Sequence, residues 1–183
     1  MAGRLFTVVG PSGAGKDTVL NAALLRCPDI CRLRRVITRR SDAGGEDIEG
    51  VSAIEFETLL DQGAFALHWT AHGTSYGIPK RLDDLLATGQ SVVFNGSRAA
   101  MPQIVAKYPD VLVLAITVDP AILRQRLCER GRETPTEIEA RLARANLEFT
   151  TTARLIEIEN SGPLDTAVQQ MVDVFTRPAE PVL

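Results

Sequence analysis

Three glycines, a lysine and several oxygen-bearing side chains are concentrated in Gly10-Pro11-Ser12-Gly13-Ala14-Gly15-Lys16-Asp17-Thr18, between the apolar run Leu5-Phe6-Thr7-Val8-Val9 and a helix-like segment. That pattern suits phosphate chemistry. Glycines let the backbone curl so that successive N–H groups point inward, and a helix that begins there adds its positive end. The lysine just inside the helix is placed to reach the outer phosphates of a nucleotide. One position departs from the motif: Asp17 follows Lys16 where a hydroxyl normally carries Mg²⁺, and Thr18 comes one residue later. A carboxylate is still an oxygen ligand, directly or through water.

Arginines form the second group with chemical potential. Arg35, Arg39 and Arg40 cluster at the end of a strand-like stretch, Ile30 to Thr38, and Arg98 follows Asn95-Gly96-Ser97 at the end of the apolar run Ser91-Val92-Val93-Phe94. Polar groups that emerge at a strand's carboxyl end are where open parallel sheets bind ligands. Arg124, Arg126, Arg130 and Arg132 surround the segment Arg130 to Pro135, which contains Gly131 and reads as a lid. Arg141 and Arg144, three apart on a helix, share a face and can meet one anion. Solvated pairing with Glu137, Glu139 and Glu148 is the alternative reading of that basic face. Asp119 before Pro120 reads as a helix N-cap, against the alternative of a strand-end carboxylate for Mg²⁺. His68 and His72 lack Cys or carboxylate companions at metal-ligand spacing, and Trp69 reads as packing in preference to a stacking platform.

The elements that must position these groups follow in order. Thr18 to Cys27 is a helix stopped by Pro28-Asp29, Ser41 to Gly50 a polar loop, and Ser52 to Glu55 a capping box before a short helix that ends at Gly63. Phe65 to Ala71 and the return through Tyr76-Gly77-Ile78 make a hairpin. A helix from Pro79 to Gly89, a buried strand over Val111 to Val118, and a helix opened by Asp119-Pro120 come next. A capping box at Thr136 to Glu139, a short strand Leu155 to Ile158, the turn Asn160-Ser161-Gly162 and an amphipathic helix from Leu164 to Phe175 complete the chain. The expected fold is α/β: a five-stranded parallel sheet flanked by helices in one domain over 1–183, with a small subdomain near 36–80 and an arginine-rich lid near 130–137.

The chain has 183 residues, of which 45% are hydrophobic and 23% charged, as for an ordinary globular domain. A formal net charge of −3 disfavours bulk nucleic-acid binding. Cys27, Cys31 and Cys128 are odd in number without paired metal spacing, which predicts reduced thiols. No apolar run approaches a signal peptide or the roughly 20 residues of a membrane span, so a cytoplasmic protein is expected.

In motif order the chain resembles nucleoside-monophosphate kinases, specifically the guanylate kinase branch: Gly10-Pro11-Ser12-Gly13, Thr38-Arg39, Gly45-Glu46, Val51-Ser52 to Phe56, Tyr76-Gly77 and Arg130-Gly131-Arg132. Its base-reading positions depart from that branch, with Leu67 for a guanine-reading glutamate, Ile78 for a hydroxyl, Ile48 for an acceptor-phosphate tyrosine and Asp42 for an arginine. Gly10 to Asp17, Ile37-Thr38-Arg39, Asn95 to Arg98, Leu123 to Leu127, Arg130 to Glu133 and Ala140 to Ala145 resemble the ribose 1,5-bisphosphate phosphokinases of phosphonate catabolism. The resemblance implies ATP-dependent synthesis of 5-phosphoribosyl 1-diphosphate on an acceptor without a base. It also implies Mg²⁺ with ATP, small-molecule substrates, and neither nucleic-acid nor membrane partners. ATP would lie on Gly10 to Thr18 and Asn160, with Asp17 serving Mg²⁺. Lys16, Arg130, Arg132, Arg141 and Arg144 would act on the transferring group, and Arg35, Arg39, Tyr76, Asn95, Ser97 and Arg98 would hold the acceptor. Guanylate kinase and an inactive guanylate-kinase-like protein-binding module are the alternatives.

Overall fold

The computed structural model describes residues 3–39, 47–71, 73–131, 133–145 and 149–178. Strand β1 (Leu5–Val9) is buried along its whole length because both faces are covered. The period of two sends Phe6 and Val8 into one apolar cluster and Leu5 and Val9 into another. Helices α1 (Lys16–Arg26) and α7 (Leu164–Thr176) close the first face through Val19, Leu20, Val168 and Met171. On the second face lie α3 (Arg81–Ala87) and α4 (Met101–Lys107).

β1 is the centre of a five-stranded sheet with order β2-β7-β1-β8-β9, formed with β2 (Ile30–Arg32), β7 (Ser91–Asn95), β8 (Leu112–Thr117) and β9 (Leu155–Glu159). All its pairings are parallel. The order turns outward in both directions from β1, so the crevice at the carboxyl ends of β1, β7 and β8 is the topological switch point. A second sheet, β4-β3-β6-β5, joins β3 (Val36–Ile37), β4 (Glu49–Gly50), β5 (Phe65–Ala71) and β6 (Thr74–Pro79), with α2 (Ala53–Asp61) between β4 and β5. Helices α5 (Pro120–Arg130) and α6 (Pro135–Ala145) pack on each other through Leu123, Leu127, Ile138 and Leu142.

Several boundaries differ from expectation. The single strand over Ile30 to Thr38 is two: β2 pairs with β7, and after Leu33 the chain leaves for the second sheet, where β3 pairs with β6. Continuous apolar and basic alternation cannot reveal which sheet each half joins. Pro79 ends β6 opposite Phe65 instead of starting a helix, and α3 begins at Arg81. The second capping box sits at Thr134 and Glu137, where the Thr134 N–H donates to Glu137 Oε2 at 2.7 Å. Pro135 dictates the shift, because it occupies the first helical position and its predecessor becomes the cap. The box at Ser52 and Glu55 forms as expected. Within the expected loop over Ser41 to Gly50, Glu49–Gly50 is a strand, while 41–46 lie outside the described residues, as do Arg40, His72 and Arg132. Helix α4 was not read from the sequence.

Arg4, just before β1, ties that strand to the end of α7. Its guanidinium donates to the carbonyls of Val174 (3.2 Å), Phe175 (3.2 Å) and Arg177 (2.6 Å) and lies 4.7 Å from the Phe6 ring centroid. It thus satisfies the carbonyls that the last turn of α7 leaves open, with the favourable sign for a helix C-terminus. Arg4→Met keeps the stem but removes these bonds, and should destabilise the fold by about 1–2 kcal/mol. A urea midpoint that falls at unchanged slope is the expected result. An unchanged midpoint would show that water replaces the guanidinium without loss.

Candidate functional site

The turn after β1 is built to leave donors exposed. Gly10, Gly13 and Gly15 have φ of 148°, 90° and 86°, and no side chain caps α1, so its first amides remain open to an anion. Gly15 is required twice over: its φ is left-handed, and a Cβ there would lie 2.6 Å from Asn160 Nδ2. Asn160 is 4% exposed and donates through Nδ2 to the Ala14 carbonyl at 2.7 Å. It therefore ties the loop to the turn after β9. Lys16 Nζ donates to the carbonyls of Gly10 (3.0 Å) and Pro11 (2.9 Å), folded back over the loop. Ser12 and Thr18 are exposed.

Asp17 sits where three elements meet. Its Oδ1 accepts from Asn95 Nδ2 at 2.8 Å and from Arg32 at 2.9 Å, and Arg32 also reaches Asn21. Arg32 was not among the sequence candidates. The available signal was its place as the last residue of β2, at the same sheet edge as the loop. Gly96 lets the end of β7 come this close to β1, since a Cβ would stand 2.2 Å from Thr7 Oγ1. A single carboxylate beside an amide, facing a phosphate loop, has the chemistry Mg²⁺ uses when substrate phosphates supply further oxygens. Asp119 is committed elsewhere: its Oδ1 accepts from Ala121 N at 2.7 Å as the N-cap of α5.

From the other side, α6 brings Arg141 to the loop, where NH1 donates to Ser12 Oγ. Arg141 NH2 also lies 3.3 Å from Glu133 Oε1, which pairs with Arg130 as well. Arg144 is exposed one turn further along the same face of α6. Arg124, on α5, is paired with Glu139 of α6 in an exposed ion pair.

Arg98 begins the turn after β7, and its NH1 is 3.4 Å from the Ala145 carbonyl. It lines a cavity of ≈ 120 Å³ with Pro11, Ile116, Thr117, Leu123 and Ala145. Burial lowers its pKa, yet a guanidinium remains charged at neutral pH. Ser97 lies just before it, its carbonyl accepting from Ala100 N.

In the second sheet the Arg35 guanidinium is 5.0 Å from the Tyr76 ring centroid, and Tyr76 stacks on Trp69 at 5.4 Å and 7°. Trp69 is thus half-buried packing, stacked on its cross-strand neighbour. Arg39 follows β3, and its Nε is buried without a hydrogen-bond partner among the described residues. Leu67 and Ile78 oppose each other in register and are 2% and 0% exposed, packed into the second core face; Ile48 is also buried.

Among the described residues no helix is long and apolar enough to cross a membrane, and no group of three or more potential protein metal ligands occurs. No protein-family model matches the chain. Its fold is that of a guanylate kinase from Anaplasma phagocytophilum, at a TM-score of 0.68 and 19% identity over 95% of this chain and 85% of that one. A ribose 1,5-bisphosphate phosphokinase of Pseudomonas fluorescens is 52% identical over 180 residues, 94% of each chain. Another, of Pseudomonas paraeruginosa, is 48% identical over 178 residues, covering 94% of this chain and 95% of that one. Identity at this level along nearly the whole length of both proteins places the chain in the family of ribose 1,5-bisphosphate phosphokinases.

Proposed function

We propose that this chain transfers the terminal phosphoryl group of ATP to the 1-phosphate of ribose 1,5-bisphosphate, giving 5-phosphoribosyl 1-diphosphate and ADP. The observation that carries the reading is 52% identity across 94% of a relative bearing that activity as its name. An oxygen of the sugar 1-phosphate forms the new P–O bond as the bond to the ADP oxygen breaks. That acceptor, with a second pKa of about 6, arrives largely ionised, so no side chain need remove a proton. Positioning and charge neutralisation remain as the tasks of the protein.

In this reading the Gly10 to Gly15 backbone and the first turn of α1, with Thr18 beside it, hold the ATP phosphates, and Asn160, bonded to the loop at Ala14, belongs to the same ATP site. Lys16 exchanges the carbonyls of Gly10 and Pro11 for phosphate oxygens. Arg141 is already at Ser12; Arg130 and Arg132 of the lid near 130–137 close over the transferring group together with Arg141 and Arg144 of α6. Arg98, Asn95 and Ser97 at the end of β7, with Arg35 just before the subdomain near 36–80 and Arg39 and Tyr76 within it, take the acceptor. All lie within one kinase domain. Asp17 would hold Mg²⁺, which when bound with ATP neutralises phosphate charge.

The whole reading is tested by coupled ADP release with ribose 1,5-bisphosphate, with the product identified by phosphorus NMR; no release above the ATPase background would overturn it. The Asp17 role has its own test. Asp17→Ala should raise the Mg²⁺ concentration for half-maximal rate and Asp17→Ser should recover part of it. Identical Mg²⁺ titrations for wild type and both variants would leave Asp17 as the anchor of Arg32 and Asn95 alone.

A further inference from the structure

Glu133 is a charged side chain only 7% exposed, and the roles above make no use of it. Its Oε1 pairs with both Arg130 and Arg141, while Oε2 is buried without a hydrogen-bond partner among the described residues. Burying a carboxylate is costly unless it is well paired, and among the described residues one oxygen carries all the pairing. That arrangement is poor for stability but good for geometry. Gly131, in the left-handed conformation, turns the chain after α5 so that Glu133 folds back on Arg130, three residues earlier. Thr134 then caps α6, which delivers Arg141 from the other side. Two guanidinium groups brought together repel each other, and a carboxylate between them offsets that repulsion while engaging only part of each fork of donors. Arg141 shows the result: NH2 faces Glu133 while NH1 reaches Ser12 in the phosphate loop.

We propose that Glu133 is a positioning residue for phosphoryl transfer, whose carboxylate assembles Arg130 and Arg141 into one clamp over the phosphate loop before nucleotide binds. The inference rests on the proposed reaction, because it gives the clamp a transferring phosphoryl group to meet. A preassembled clamp acts mainly on the rate of the chemical step, where misplacement by about 1 Å costs up to about 100-fold. Glu133→Gln, close in shape but uncharged, should therefore lower kcat by about 10- to 100-fold with each KM changed less than about threefold. Glu133→Asp should recover part of the loss. In an Arg141→Ala background Glu133→Gln should add less than about threefold, since both changes remove one function.

A separate readout needs no acceptor: trypsin should cut the apo protein after Arg130 at least about tenfold faster in Glu133→Gln, with a melting temperature close to that of wild type. Full additivity with Arg141→Ala, a loss confined to KM, or unchanged turnover would overturn the proposal, as would unchanged cleavage. Wild type that releases no ADP with ribose 1,5-bisphosphate would instead overturn the reaction, and cleavage alone would then decide whether Glu133 assembles the lid.

Discussion

Replacing Lys16 with alanine is expected to lower turnover by about 10³-fold or more while the protein stays folded. The side chain lies across the mouth of the loop, its ammonium on the carbonyls of Gly10 at 3.0 Å and Pro11 at 2.9 Å. Those carbonyls are at the partly exposed rim, so water can replace the lysine in the empty protein at little cost to stability. Turnover is different. A cation aimed at oxygens whose charge changes during transfer stabilises the transition state more than the ground state, and removing one such preorganised donor typically costs about 10²–10³ in kcat. A full positive charge in a site that excludes water as the arginines close belongs at or above the top of that range. Single-turnover ADP release checks the rate, and thermal melting checks the fold. A folded variant within tenfold of wild type would remove Lys16 from the transfer step and, with it, the reading of Gly10 to Thr18 as the donor-phosphate site.

The second large effect concerns the acceptor. Rejection of GMP by about 10²-fold or more in kcat/KM, relative to ribose 1,5-bisphosphate, is expected from what stands at the positions that would read guanine. Leu67 and Ile78 pair across β5 and β6 and are buried at 2% and 0% exposure. Because they belong to the core, neither they nor a small rotation of them can present an acceptor or donor to a purine edge. Each buried amide group left without a partner costs about 1–3 kcal/mol, or roughly one to two powers of ten. Two such groups suffice for the predicted ratio. A bisphosphorylated sugar places its recognition on charge instead, with Arg35 over the Tyr76 ring, Arg39 beside the same sheet, and Arg98 after the end of β7. Faster phosphorylation of GMP than of the sugar bisphosphate at matched concentrations would reverse the assignment in favour of a guanylate kinase.

Much of the site's local form follows from short-range signals. The buried run Leu5 to Val9, the glycines and lysine after it, the cap Asp119 before Pro120 and the capping box at Ser52 each rest on residues within about ten positions of one another, where dihedral preference and hydrogen-bonding reach decide the outcome. Only the tertiary structure decides which distant side chains share an atom. Asp17 Oδ1 takes donors from residues 15 and 78 positions away, Ser12 meets Arg141 across 129, and Ala14 meets Asn160 across 146. The Asp17 contacts depend on β2 pairing with β7, the neighbour of β1, while β3 leaves for another sheet, a division that the unbroken alternation over Ile30 to Thr38 leaves open. Glu133 illustrates the same limit: in sequence it is one more acid among basic residues, and its burial between two arginines exists only once α5 and α6 pack through Leu123, Leu127, Ile138 and Leu142. Sequence by itself determined the phosphate loop, the parallel sheet and the family resemblance, because these are written in local spacing; packing decided which charges are paired, because pairing depends on which chain ends converge at the sheet's carboxyl edge.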